Sequence, residues 1–128
     1  MGDFMSDNNR KRPRIDYKER VLCYKHIITS SNIKPDPAPI KIVIEDISYS
    51  GLGIVCNRDL GRGDFLIFNL ESGGMVKEFM TEVRWCKYSD GLYEAGLQFT
   101  NLTKEMIIFL DGLIKSYQLG QARVRRRT

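Results

Sequence analysis

Two short clusters of polar residues have types and spacings that could do chemistry. Arg10 and Arg14 stand four apart in the run Arg10-Lys11-Arg12-Pro13-Arg14, and Asp46, Ser48 and Gly51 follow the pattern D-x-S-x-x-G. An arginine fork bonds a phosphate, or the O6/N7 edge of guanine, through two parallel hydrogen bonds, and its flat face stacks on a base. A carboxylate such as that of Asp46 accepts from an edge that presents N–H donors, and Ser48 can add a shorter hydrogen bond. Gly51, having no Cβ, lets the backbone turn sharply or approach a flat group closely. Taken singly, each cluster has a plain structural reading. The arginines read as a solvated basic tail, and D-x-S-x-x-G as a turn held by side-chain-to-backbone bonds.

Other chemistries have little to work with. His26 is the single histidine, which leaves no partner for a Ser–His pair or a histidine metal site. Cys23, Cys56 and Cys86 are odd in number and lack C-x-x-C spacing, so buried thiols in a reducing compartment are expected rather than disulfides or zinc. Gly51-Leu52-Gly53 is not a dinucleotide fingerprint, because no third glycine or following helix completes it. Asn101-Leu102-Thr103 matches a glycosylation sequon but reads as a helix start. No nucleophile–base pair and no paired carboxylates emerge, so an enzyme is not expected, nor a metal or other cofactor.

Charge narrows the class of partner. The net charge is +4, and the excess sits at the ends: Arg10, Lys11, Arg12 and Arg14 near the start, Arg123, Arg125, Arg126 and Arg127 at the finish. Such ends favour polyanions, whether nucleic acid, an anionic membrane surface or a phosphate-bearing ligand. Composition alone does not choose among them. A nucleic-acid barrel would want an aromatic row along one strand, which is missing. No apolar run approaches the roughly 18 residues of a membrane span. The first residues show no secretory signal, so a cytoplasmic location is expected.

The 128 residues suit one domain, and 42% hydrophobic content suffices for one core. Residues 1–9 are polar, aperiodic and expected to be disordered. Six strand-like segments follow, at about 17–28, 40–47, 52–56, 65–70, 76–88 and 93–99, separated by proline- or glycine-bearing turns. The period then changes: Met106, Ile107, Leu110, Leu113, Ile114 and Tyr117 form one helical stripe. Thr103 or Asn101 can cap its start, and Gly120 fits just beyond its end. Gly112 inside it costs about 1 kcal/mol against alanine, so packing must hold that segment. The expected architecture is all-β in the main, a six-stranded antiparallel β-barrel with a C-terminal amphipathic α-helix. The domain should occupy residues 10–119, leaving 120–128 as a basic tail.

The two clusters occur in a fixed order with β structure between and after them. In this the sequence resembles the PilZ domain family, whose hallmarks are R-x-x-x-R and [D/N]-x-S-x-x-G. The resemblance spans roughly Asn9 to Tyr117. It includes Val83-Arg84-Trp85, similar to the family's late V-x-W strand, and Gly96-Leu97-Gln98-Phe99, similar to its G-x-x-F strand. It implies a bacterial receptor for the second messenger cyclic di-GMP, with Arg10, Arg14, Asp46, Ser48 and Gly51 as ligand contacts. Asn9, Lys11, Arg12 and Trp85 are secondary candidates, Trp85 as a stacking face. In the family the residue before the first arginine, here Asn9, influences whether one ligand or an intercalated pair is bound, and both stoichiometries stay open. A flexible arm carrying half the motif suggests that ligand orders it and changes the surface shown to a downstream protein. The alternative is a PilZ-like adaptor that binds no ligand and acts through protein contacts alone.

Overall fold

β-branched and aromatic residues alternating with polar ones make strands of most of this chain. The computed structural model describes residues 15–29 and 34–127, with side chains to residue 119. Seven strands, β1 (Ile15–Cys23), β2 (Lys25–Ile27), β3 (Ile40–Ile47), β4 (Gly51–Cys56), β5 (Phe65–Ser72), β6 (Met75–Ser89) and β7 (Leu92–Thr100), precede one helix, α1 (Lys104–Arg127). Two hairpins close through turns whose residues both have positive φ: Gly73 and Gly74 between β5 and β6, Asp90 and Gly91 between β6 and β7. Turns of that hand match the right-handed twist of the strands they join.

The sheet runs β1-β3-β4-β7-β6-β5-β2, antiparallel throughout. Its two edge strands are neighbours in the chain, with only Tyr24 between them. One kinked segment therefore pairs with β3 before the kink and with β5 after it, and the sheet curls into a barrel-like form. This corrects the expected count of six strands. A strand that must serve both edges of a curled sheet has to bend, and Tyr24, left exposed, is where the ladder breaks.

Inward positions build the core. Ile40, Ile42, Ile44 and Ile47 of β3 meet Leu52 and Ile54 of β4, and Phe79 lies between Phe99 and Phe109, at ring distances of 5.2 and 5.8 Å. Phe109 belongs to α1, so this aromatic row joins the helix to the sheet. The buried stripe of α1 is Phe109, Leu110, Leu113 and Ile114, with Met106 and Tyr117 half-buried. Ile107, expected in that stripe, is exposed instead. Positions 106, 109, 110, 113, 114 and 117 follow the i, i+3, i+4, i+7 pattern more closely than a stripe through 107. Thr103 is the N-cap, its Oγ1 accepting from the Met106 amide at 3.2 Å. The helix does not stop before Gly120 but continues to Arg127. An interior glycine costs only about 1 kcal/mol, and arginines suit the negative end of the helix dipole.

β2 is held by a buried polar pin. His26 Nε2 lies 2.9 Å from Asp64 Oδ2, which also accepts from the Gly61 amide at 2.9 Å. Arg58, a donor only, lies 3.5 Å from His26 Nδ1, so the ring donates from Nε2 to Asp64.

Candidate functional site

Strict alternation would turn Asp46 and Trp85 toward the core, since Ile44 and Val83 point inward. A β-bulge precedes each of them, between Ile44 and Asp46 in β3 and between Val83 and Trp85 in β6. Each bulge adds a residue and resets the parity, as bulges beside functional sites do. Asp46 and Trp85 thus reach the outer face, and one cross-strand row runs Asp46, Gly53, Gly96, Trp85 over β3, β4, β7 and β6.

The two glycines between them form a floor without side chains, over which both neighbours fold. Asp46 Oδ1 accepts from the Gly53 amide at 3.1 Å. A Cβ on Gly53 would lie 2.6 Å from Asp46 Oδ2, and one on Gly96 would collide with the indole Nε1 of Trp85. Trp85 nevertheless stays 49% exposed. The row offers a carboxylate acceptor and a half-exposed aromatic surface on neighbouring strands. Its flank is acidic: Asp16 of β1 is the cross-strand partner of Asp46. Like charges directly opposite are unfavourable, so cationic groups are welcome here. Lys18, bonded to Glu45 beside the bulge, is one, and that hydrogen bond raises its pKa from the ordinary lysine value.

Ser48 and Gly51 have a different part. β3 ends at Ile47, so Ser48 lies in the turn rather than on an extended strand beside Asp46. It is buried, and its Oγ accepts from the amides of Ser50 and Gly51, both at 3.3 Å, while its own amide donates to the Gly51 carbonyl at 2.9 Å. Gly51 shows no positive φ. Its need for glycine is close approach to β7, where a Cβ would strike the Leu97 carbonyl oxygen.

Sequence reasoning passed over Tyr49, in the same turn. Its Oη donates to Asp111 Oδ1 of α1 at 2.6 Å, and Asp111 also pairs with Lys115 at 2.9 Å. That bond raises the tyrosine pKa and, with Lys115, lowers that of Asp111. The D-x-S-x-x-G turn is in this way tied to the helix. Gly53 and Gly96 were also passed over; the signal available was a glycine at an outward position in strands otherwise rich in β-branched residues.

Arg10 and Arg14, with Asn9, Lys11 and Arg12, lie outside the described residues. Arg14 immediately precedes Ile15, whose cross-strand partner is Ile47, between Asp46 and Ser48. Among the described residues no cluster of histidine, cysteine or acidic side chains could hold a metal ion, and no helix is long and apolar enough to cross a membrane.

The family model for the PilZ domain matches residues 8–116. Among solved structures, the chain is similar to the PilZ domain of YcgR from Escherichia coli, a structure described as containing c-di-GMP. The TM-score is 0.69 at 15% sequence identity, covering 93% of this chain and 98% of that one. No curated protein sequence matches.

Proposed function

The chain belongs to the PilZ domain family, and from that premise we propose that it is a bacterial, cytoplasmic receptor for cyclic di-GMP rather than an enzyme. The observation that carries this reading is the outward row of Asp46, Gly53, Gly96 and Trp85, at whose β3 end Asp46 has Asp16, two residues after Arg14 in the sequence, as its cross-strand partner. The likeness to the YcgR domain, whose structure contains c-di-GMP, supports the same ligand.

In this mechanism Arg10 and Arg14 supply the charge-assisted forks, bonding the ligand's phosphates or guanine O6/N7 edges and stacking on its bases. Asp46 accepts from guanine N1–H and N2–H, and Trp85 offers a face for one base. Ser48 and Gly51 act chiefly by shaping the turn that presents Asp46. Asn9, Lys11 and Arg12 add secondary contacts. Ordering the arm costs roughly 1–2 kcal/mol per residue in backbone entropy, so binding and arm closure rise together. The closed arm then changes the surface read by a downstream protein.

One observation favours the adaptor reading instead. The Ser48 hydroxyl and the Gly51 approach to β7 are both used inside the fold, so this half of the motif has a structural purpose even without ligand. Calorimetric titration of cyclic di-GMP into the wild type, Arg14→Ala and Asp46→Ala separates the two. Saturable binding lost in both variants is expected and supplies the stoichiometry. Absence of binding in the wild type would leave the adaptor.

A further inference from the structure

Two carboxylates stand at the β3 end of the outward row with no part in the proposed ligand contacts. Asp46 is there to accept from guanine N–H groups, but Asp16 and Glu45 flank it, and both repel a ligand that carries two phosphates. The place of Glu45 has a local cause. Between the pairs Asp16↔Asp46 and Glu19↔Ile44, the β1–β3 ladder sets Tyr17 and Lys18 against Glu45 alone. On its other side, Glu45 is passed over between Ile44↔Ile54 and Asp46↔Gly53. Glu45 is thus the extra residue of the bulge, paired in neither ladder. What holds its side chain is the Lys18 ammonium, which donates to Oε2. Lys18 shares the exposed face of β1 with Asp16, and Tyr17 between them points inward. The pKa of Lys18 is raised, first by the hydrogen bond to Glu45 and further by the charges of Glu45, Asp16 and Asp46. All three carboxylates therefore act on one ammonium.

We propose that Lys18 opens this acidic end of the row to an anionic ligand by holding the Glu45 carboxylate toward β1 and cancelling its charge. The inference rests on the cyclic di-GMP reading and adds to it a positioning residue, one that acts through Glu45 and does not touch the ligand. The side chains of Lys18 and Glu45 are 63% and 38% exposed. An ion pair this open to water adds little to folding, so its consequence is local and falls on the neighbouring Asp46. Two other parts for Lys18 make different demands. A direct bond to phosphate would take the ammonium away from Glu45. A purely structural staple of the bulge would need Glu45 as much as Lys18. In the charge-cancelling part, affinity follows the net charge of the cluster. Three carboxylates and one ammonium leave two negative charges. Loss of Lys18 leaves three, neutralising Glu45 leaves one, and doing both restores two.

Calorimetric titration of cyclic di-GMP into the full chain and its variants, at low and at high salt, tests this. Lys18→Ala should bind about tenfold more weakly than wild type at low salt, and the gap should narrow as salt screens the exposed charges. Lys18→Arg should keep the wild-type affinity. Glu45→Gln should bind at least as tightly as wild type, and Lys18→Ala combined with Glu45→Gln should return to within about threefold of it. Lys25→Ala is the control: it removes an equally exposed lysine, bonded to Glu78 of β6, and should leave affinity unchanged. A Lys18→Ala protein that binds as wild type does, a double variant as weak as Lys18→Ala, or a Glu45→Gln protein that loses affinity would overturn the proposal while the receptor reading stands. No binding by the wild type would remove the receptor reading itself, and this inference with it.

Discussion

At the scale of single residues, the glycines divide into those that hold the fold and those that clear the site. Gly51 is of the first kind: the atom its Cβ would strike is a backbone carbonyl of β7, which cannot swing aside. Gly51→Ala should therefore destabilise the protein by roughly 1–3 kcal/mol, as overpacking does, read as a lower urea midpoint with an unchanged slope. Gly96 is of the second kind, since the atom in the way belongs to the Trp85 side chain, which can rotate outward. Gly96→Ala should leave the unfolding free energy within about 0.5 kcal/mol of wild type but move the indole. Trp85 is the single tryptophan, so its emission reports that movement directly. Cyclic di-GMP should change the same emission in the wild type, and Gly96→Ala should weaken binding about tenfold or more if a base stacks on the ring, a contact of roughly 1–3 kcal/mol. Unchanged affinity in Gly96→Ala would remove Trp85 from the ligand site.

At the scale of elements, the turn between β3 and β4 is the junction of the molecule. Ile15↔Ile47 brings the root of the arm to it from one side, and Tyr49–Asp111 ties it to α1 from the other. Removing one hydroxyl tests that link: Tyr49→Phe should increase hydrogen exchange in α1 around Asp111 while leaving β6 and β7 protected. Uniform protection would mean that the helix is held by its apolar stripe alone. The elements were largely legible beforehand. The β-branched run Ile40–Ile47 became β3 with the expected bounds, and the alternation of Tyr93–Phe99 became most of β7. What stayed hidden was anything that interrupts a period. The bulges at Glu45 and Arg84 leave no mark on residue type, yet they decide that Asp46 and Trp85 face outward. The break at Tyr24 is a demand of sheet closure, not of local propensity. The buried stripe of α1 holds Phe109 where Ile107 was expected; the two are equally apolar, and helical spacing together with the contact to Phe79 favours Phe109. Asp46 and Ser48 were legible as a pair, but their division of labour, one outward and one inside the turn, was not.

At the scale of the whole molecule, the titrating groups with shifted pKa values bound a window of stability. Burial raises the thiols of Cys23, Cys56 and Cys86 above their ordinary value near 9, and burial pushes the Tyr17 phenol up to about 12. The bonds of Tyr49 to Asp111 and of Lys18 to Glu45 raise those two groups as well. Each of these six groups binds its proton more tightly in the folded chain than in the unfolded one. Their contributions are therefore complete below the unfolded values and are lost as pH rises through the folded ones. Asp111 works in the opposite sense. Its lowered pKa gives stability that is present above the ordinary carboxylate value near 3.8 and is lost as pH falls toward the folded value. Thermal unfolding followed by circular dichroism should then show a plateau between about pH 4 and 9, a steady fall in Tm above it, and the steepest loss between the ordinary tyrosine value of 10 and 12, where Tyr17 must ionise inside the core. Tyr17→Phe keeps the ring that meets Tyr117 edge-on at 5.2 Å but removes the phenol. It should hold its Tm further into the alkaline range than wild type, and coincident alkaline limbs for the two proteins would show that Tyr17 does not set the upper limit.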